Sequence, residues 1–455
     1  MTRDERRPAR MGEGFGFVVD SDGNELRLDD PRVAHVWTIN YYRHASSLLS
    51  QVYKRRGWRL RCVPEPSNTL LREAKRVCSG KECPALNPVM GGVLHDLEHD
   101  RRDDEVTLYY GMDCVGPCPA GAWPLTCDAF VRKLGLRNVV FPGHPAVHNN
   151  YFGQGILFAW ELFSAFALAD ILAEAELALR CTARDPVSAL ATFEEAAARL
   201  AERAERGLVA FEGALRQWAR TMSKVPLKTS VDTLPTVRMI GGGNGFFFHQ
   251  LYMDYFAQQG VLVRLNPMTD FILHVDSDLP RLVAFEASQG AEEQFALGSR
   301  AMSALTLGES GWARRRALIH AINVKTGAIS IGRFRKIASA SRLLYGNDVT
   351  FARSAMAGDG TFPDQLMLEA TGNVGLLRLS IDAGVYDGGF HSNSFHCFHG
   401  AIGQALSKEL ATRKSFPFVA LELDEVSLTA QNSLLLETLC AKARSRFERR
   451  SGVRA

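Results

Sequence analysis

Thr236-Val237-Arg238-Met239-Ile240 runs straight into Gly241-Gly242-Gly243-Asn244-Gly245. Phe246 to Gln259 follows at helical period, Gly260 closes that helix, and Val261 to Leu265 supplies the next apolar run. A β-rich run, a glycine turn, a helix and a second β-rich run make the βαβ unit of a parallel sheet. Downstream, Ala313 to Met356 is mostly helical. The alternation resumes with Leu376 to Ala383, the loop Gly388 to Gly400, the helix Ala401 to Leu410 and the strand Phe418 to Leu423. Upstream, no strand signal lies between Gly155 and Lys224, where two long helical patterns stand, the second over Ala189 to Ala219.

Nearer the N-terminus the alternation returns. Val33 to Ile39 reads as a buried strand and Ala45 to Arg56 as a helix capped by Gly57. Trp58 to Val63 is the next strand, and Ser67 caps a helix running toward Val77. Val106 to Tyr110, Ala129 to Leu134 and Asn138 to Phe141 continue as strand, helix and strand. The expected fold class is therefore α/β: two Rossmann-like or flavodoxin-like parallel-sheet domains with a helical insertion between them. The expected parts are a flexible tail over 1–30, with one hairpin around Asp22-Gly23-Asn24, and a first α/β domain bearing cysteines over 31–152. A helical insertion over 153–228 and a second α/β domain with a further cysteine loop over 229–455 complete the chain.

The bulk numbers exclude several function classes. The 455 residues are 46% apolar and 23% charged, which is ordinary for a globular protein and argues against wholesale disorder. Lys plus Arg number 53 against 50 Asp plus Glu, an excess too small to imply a nucleic-acid or acidic-membrane partner. Arg6-Arg7 and Arg314 to Arg316 read as solvated faces. No apolar segment follows Met1 to Arg7, so no secretory signal is expected. Ile156 to Cys181 is apolar, but Glu161, Asp170, Glu174 and Glu176 interrupt it, so it reads as a buried helix and not a membrane span. The expected location is the cytoplasm, where thiols stay reduced, so the nine cysteines are packing residues, metal ligands or nucleophiles.

Five cysteines stand out. Cys78 and Cys83 lie in Val77-Cys78-Ser79-Gly80-Lys81-Glu82-Cys83-Pro84, and Cys114 and Cys118 in Asp113-Cys114-Val115-Gly116-Pro117-Cys118-Pro119. Cys397 lies in Ser394-Phe395-His396-Cys397-Phe398-His399-Gly400. Each sits near Gly or Pro in a loop beside a strand or helix, and in open α/β sheets such loops converge at the carboxyl edge. Thiolates there meet helix N-terminal N–H groups, and the sulfurs of an iron–sulfur cluster need such donors. Cys62, Cys181 and Cys440 fall inside strand or helix patterns and read as packing, and Cys127 is undecided. By spacing alone a metal site and plain packing stay equally open, since neither pair matches a tight zinc-ribbon or ferredoxin run.

Ser79-Gly80-Lys81-Glu82-Cys83-Pro84, Gly116-Pro117-Cys118, the helix with Trp160 and Ala169-Asp170-Ile171-Leu172, Phe395 to Gly400, and Leu423-Asp424-Glu425 with Gln431-Asn432 occur in that order. Their ordered set resembles the CoA-substrate-specific enzyme activase family, in the portion related to 2-hydroxyacyl-CoA dehydratase and benzoyl-CoA reductase subunits. The resemblance covers roughly residues 33–445. It implies an iron–sulfur cluster, 4Fe–4S or the double-cubane form of some relatives, with Cys83, Cys118 and Cys397 as thiolate ligands. It also implies an acyl-CoA substrate, and a separate ATP-dependent activator, an ASKHA-type iron–sulfur ATPase, as electron donor. A homodimer or a hetero-oligomer is expected.

The sequence departs from the family in three ways. In large activases an ATPase domain precedes this portion, whereas no P-loop pattern is found here. Cys78 and Cys114 are extra thiols, so Cys78, Cys83, Cys114 and Cys118 also suit a four-thiolate zinc site in a non-catalytic binding or regulatory protein. His396 and His399 flank Cys397 where the family shows other residues. Two further sites are open. Gly241, Gly242, Gly243, Asn244 and Gly245 are either a tight turn or a cradle for a CoA pyrophosphate. His391, His396 and His399 are either solvated or donors to a cluster sulfur, and His144 and His148 are candidates to line the same cleft.

Overall fold

The computed structural model describes residues 8–39, 42–110, 118–143, 150–241, 247–273, 325–346, 357–358 and 369–452. Of the expected features, Cys114, His144, His148, residues 242–246 and half of the Ala313 to Met356 stretch lie outside them. The chain forms two compact units. The first comprises the described residues of 8–39 and 49–162, and the second those of 42–48, 163–273 and 325–452.

In the first unit, β1 (Arg10–Met11), β2 (Phe17–Val19) and β3 (Glu25–Arg27) form a small antiparallel sheet. For the part described, the expected flexible tail is corrected to a sheet, and the hairpin expected around Asp22-Gly23-Asn24 is its β2–β3 pair. Val18, Leu26 and Leu28 are buried, and Asp20 closes the β2–β3 turn by accepting from the backbone N–H groups of Asp22 and Asn24. The strands are too short for their alternation to stand out in the sequence.

The main sheet of this unit is wholly parallel, in the order β5 (Arg59–Cys62), β4 (Val33–Trp37), β6 (Val106–Tyr110), β7 (Val139–Val140). Every residue of β4 and β6 is buried, as central parallel strands covered on both faces must be. Ser67 caps the helix Asn68–Ala74 through its hydroxyl, as its sequence position implies. The helix Leu86–His99 carries no clear helical signal, because Pro88, Gly91 and Gly92 fall within it. The glycines have a packing cause. A Cβ at Gly91 would lie 2.4 Å from the Leu70 carbonyl oxygen, and one at Gly92 would lie 2.8 Å from Val63.

His35 of β4 is fully buried and stacks on Trp58, with ring centroids 4.7 Å apart. Its Nε2–H donates to the Leu28 carbonyl at 3.0 Å, and its Nδ1 accepts from the Tyr110 hydroxyl. Acceptance at Nδ1 requires the neutral ring, and burial holds its pKa down at about 4 against the opposing pull of the Leu28 carbonyl.

The second unit repeats the architecture. Its parallel sheet has the order β11 (Phe418–Glu422), β10 (Gly388–Asn393), β8 (Thr236–Ile240), β9 (Leu262–Arg264). Numbered along the chain within each unit, both sheets read 2-1-3-4, the flavodoxin-like doubly wound order. Between the two sheets in sequence stand three helices, Gly155–Thr182, Pro186–Ala204 and Leu208–Met222, where two helical patterns were expected. The break falls at Gly207, whose φ of +92° a helix cannot continue.

Gly155–Thr182 is long and apolar enough to cross a membrane, but 83% of its most apolar window is buried inside the protein. Its acids are satisfied internally. Glu161 pairs with Arg55 and Arg56, and Glu174 with Arg264 and Arg335. Glu176 pairs with Arg180, and Asp170 accepts from the N–H groups of Met268 and Thr269.

Two sequence expectations are overturned in this unit. Leu376 to Ala383 is the second half of a helix, Glu369–Ala383, whose Leu376 and Leu377 pack with Ile240, Tyr386 and Phe416. The expected loop Gly388 to Gly400 begins with the central strand β10. That strand reads Gly-Gly-Phe-His-Ser-Asn, so it lacks the apolar run of a buried strand. Its glycines lie in close packing: a Cβ at Gly388 would lie 2.9 Å from Leu439 Cδ1, and one at Gly389 would lie 3.3 Å from the Arg238 carbonyl oxygen.

The neutral His35 gives a pH signature. Because the folded ring resists protonation, its contribution is complete above the unfolded pKa near 6.5 and is lost as pH falls toward about 4. Thermal denaturation followed between pH 7.5 and 4 is expected to show a declining Tm, His35 accounting for roughly 3 kcal/mol. His35→Phe should be less stable at pH 7.5 yet show a visibly shallower decline; an unchanged slope would remove His35 from the account.

Candidate metal centre

In a 2-1-3-4 sheet the chain changes direction between strands 1 and 3, and the loops leaving their carboxyl ends bound a crevice. In each unit the loop after strand 3 carries a cysteine at the start of a helical segment. Cys118 follows β6 and precedes the 3-10 turn Pro119–Ala122, which leads into the helix Trp123–Leu134. Cys397 follows β10 and is the N-cap of the helix Phe398–Arg413. Its Sγ accepts the Gly400 N–H at 3.3 Å, the contact expected of a sulfur at a helix N-terminus.

The Cys397 loop is held from two sides. Cys397 N–H donates to the Ser394 carbonyl, and the Phe395 N–H is taken by the Asp424 carboxylate at 3.0 Å. His396, between them, has φ +60°, an uncommon conformation for a non-glycine residue. Underneath lies β10. Asn393 Nδ2–H donates to His391 Nδ1 at 2.7 Å, which assigns the proton of the neutral ring to Nε2. Burial drives His391 down to about 3. The Asn393 carboxamide also packs directly against Gly400, where a Cβ would come within 2.2 Å of Nδ2. Gly400 must therefore be glycine for the first turn to seat above Asn393. His399 is buried as well, so of the three histidines in this stretch His391 and His399 are interior groups, not solvated ones.

Gly241, the described member of the glycine run, has φ +101°, and a Cβ there would lie 2.7 Å from the Ser392 carbonyl oxygen. Its carbonyl accepts from Asn266 Nδ2. At this position the glycine serves the close approach of β8 and β10. Gly242, Gly243, Asn244 and Gly245 lie outside the described residues.

In the first unit, Cys83 precedes the helix Leu86–His99 and its carbonyl accepts the Leu86 N–H. The turn before it is closed by Glu82, which accepts from the N–H groups of Ser79 and Gly80 and from the Ser79 hydroxyl. Cys78 is half-buried, and burial followed by the Glu82 charge pushes its thiol up to about 11. Cys127, Cys181 and Cys440 are buried within helices or at a helix end, and burial raises the Cys181 and Cys440 thiols to about 11. Cys62 lies in β5. Among the described residues no three His, Cys, Asp or Glu side chains are already gathered around a common metal position.

Sequence reasoning missed Asn393 and Gly400 as positioning groups. The available signal was a polar triplet, His391-Ser392-Asn393, directly after Gly388-Gly389-Phe390 and before a cysteine loop. No family model matches this sequence, and no curated protein matches it.

Gly400→Ala should push the first turn of the helix off Asn393 and lengthen the N–H···S contact. Alkylation of the Cys397 thiol at neutral pH, read by peptide mass spectrometry, is expected to slow severalfold, with a stability loss of about 1–3 kcal/mol. A rate equal to that of the unaltered protein would contradict the seating described.

Proposed function

We propose that this chain is an iron–sulfur protein resembling the components of 2-hydroxyacyl-CoA dehydratases, with a cluster held by the thiolates of Cys83, Cys118 and Cys397. The observation that carries the reading is the corresponding placement of Cys118 and Cys397. Each starts the helical segment after the third strand of a 2-1-3-4 sheet, where a crevice forms, and at Cys397 a helix N–H faces the sulfur. The donor set suits the group, because cluster sulfurs and thiolates are stabilised by backbone N–H donors such as that of Gly400. Cys78 suits it less, its thiol being disfavoured as an anion by burial and by Glu82.

When bound, a 4Fe–4S or double-cubane cluster supplies low-potential electron storage. The electrons would come from a separate ATP-dependent activator, and the substrate class would be an acyl-CoA that is reduced or dehydrated. A reducing cytoplasmic compartment fits a protein whose described cysteines form no disulfide.

The protein purified without oxygen, or reconstituted with iron and sulfide, is expected to be brown and to hold several irons and sulfides per chain. Cys83→Ser, Cys118→Ser and Cys397→Ser should each lose more than half of both, while Cys440→Ser should lose none. One zinc per chain without sulfide, unaffected by Cys397→Ser, would replace this reading with a zinc-stabilised binding protein. A colourless, metal-free product would end both.

A further inference from the structure

The helix Leu86–His99 closes on His95-Asp96-Leu97-Glu98-His99, a His-x-x-Glu-His spacing. Residues four apart share one helix face, so His95 and His99 stand together as a pair, with Glu98 beside them and short of a gathered three-donor group. Asp96 turns the other way. It is buried, where it accepts from Arg61 and from the Tyr109 hydroxyl. The imidazole rings of His95 and His99 have centroids 4.6 Å apart and planes inclined by 59°, so they are not stacked. The Glu98 carboxylate reaches to 4.0 Å from His99 Nε2, and these two side chains are 64% and 58% exposed.

We propose that His95 and His99 chelate one divalent transition-metal cation, of the zinc, nickel or copper class, with Glu98 as the adjacent anionic donor. Metal–nitrogen bonds of about 2.0–2.1 Å set at a right angle or slightly wider place two ring centres roughly 4.5–5.5 Å apart. The observed separation falls in that range, so the ring spacing suits a shared ion once side-chain rotation turns one nitrogen of each ring toward it. Imidazole nitrogen selects these ions over magnesium and calcium, which prefer oxygen. The pair also lies in the last turn of its helix, where the negative end of the macrodipole favours a cation.

Nearby cationic side chains have their own partners. Arg101 is bonded to Thr107 and to the carbonyls of Glu105 and Arg137. Arg102 is bonded to Asp104 and the Pro31 carbonyl, and Arg76 to Glu73. Two protein nitrogens and one carboxylate leave the remaining coordination positions to water, which makes this an open site on the first unit that needs none of the thiols discussed above.

Because thiols bind the same ions, the test is a difference measurement. The full-length protein, His95→Ala and His99→Ala, all with their cysteines intact, are titrated with Ni2+ by calorimetry at pH 7.5, with Mg2+ as control. The unaltered protein is expected to bind one Ni2+ equivalent that both variants bind at least tenfold more weakly, and that Glu98→Gln weakens less. Lowering the pH to 5.5 should weaken this equivalent in the unaltered protein, since ligation needs neutral imidazole. His99 is exposed, so its variant is expected to keep the unaltered circular dichroism spectrum. Superposable Ni2+ isotherms for the unaltered protein and His99→Ala, or no Ni2+ uptake by the unaltered protein, would overturn the proposal.

Discussion

A strand hydrogen-bonded on both sides has no water with which to satisfy polar side chains, and β10 carries three in a row. His391, Ser392 and Asn393 are all buried, each at 5% exposure or less. Their partners are therefore specific. Asn393 donates to His391, Tyr252 bonds Ser392 through its hydroxyl, and the Asn393 carbonyl takes the Leu423 N–H. Leaving a buried polar group unpaired costs about 1–3 kcal/mol, so a strand of this composition persists where neighbours are arranged around it. The Cys397 loop inherits that order, because its helix seats on the Asn393 carboxamide through a glycine with no room for a side chain.

The long apolar helix Gly155–Thr182 shows the same logic at the level of charge. Glu174 is wholly buried and faces two guanidinium groups, those of Arg264 and Arg335, together with the Tyr345 N–H at 2.6 Å. Arg264 is itself the register partner of Arg238 on neighbouring strands, and both are buried. Removing one member of such a set leaves an uncompensated interior charge, which makes the set strongly interdependent. Asp170 sits in a similar position. Burial raises its carboxyl to about 6, although three hydrogen bonds from Met268 and Thr269 work against that rise.

The repeated 2-1-3-4 order gives the cysteines their meaning. Without the strand order, Cys118 and Cys397 are two thiols 279 positions apart in sequence. With it, they occupy the same place in two sheets of one design, while Cys127, Cys181 and Cys440 fall within helices or at a helix end and are closed off by packing. Cys83 lies elsewhere in that design, before the second helix of the β5–β6 crossover, in a turn that Glu82 closes with three hydrogen bonds.

Much of this architecture could be read from residue order alone. The alternation of β-rich and helical runs gave the α/β class, because strand and helix periods are local properties. Ser67, Gly57 and Gly260 marked helix ends correctly, since caps act within a few residues. The loops bearing Cys118 and Cys397 were picked out by their Gly and Pro neighbours. Three-dimensional packing was needed for the rest. The helix over Gly91 and Gly92, the strand β10 and the joining of β1 to the β2–β3 hairpin contradict or lack local signals. Each is stabilised by neighbours distant in sequence: Val63 and Leu70, Arg238 and Leu439, and Asn138, which bonds Ser21. The neutral states of His35 and His391 likewise come from burial, a property of the folded chain that no stretch of sequence carries on its own.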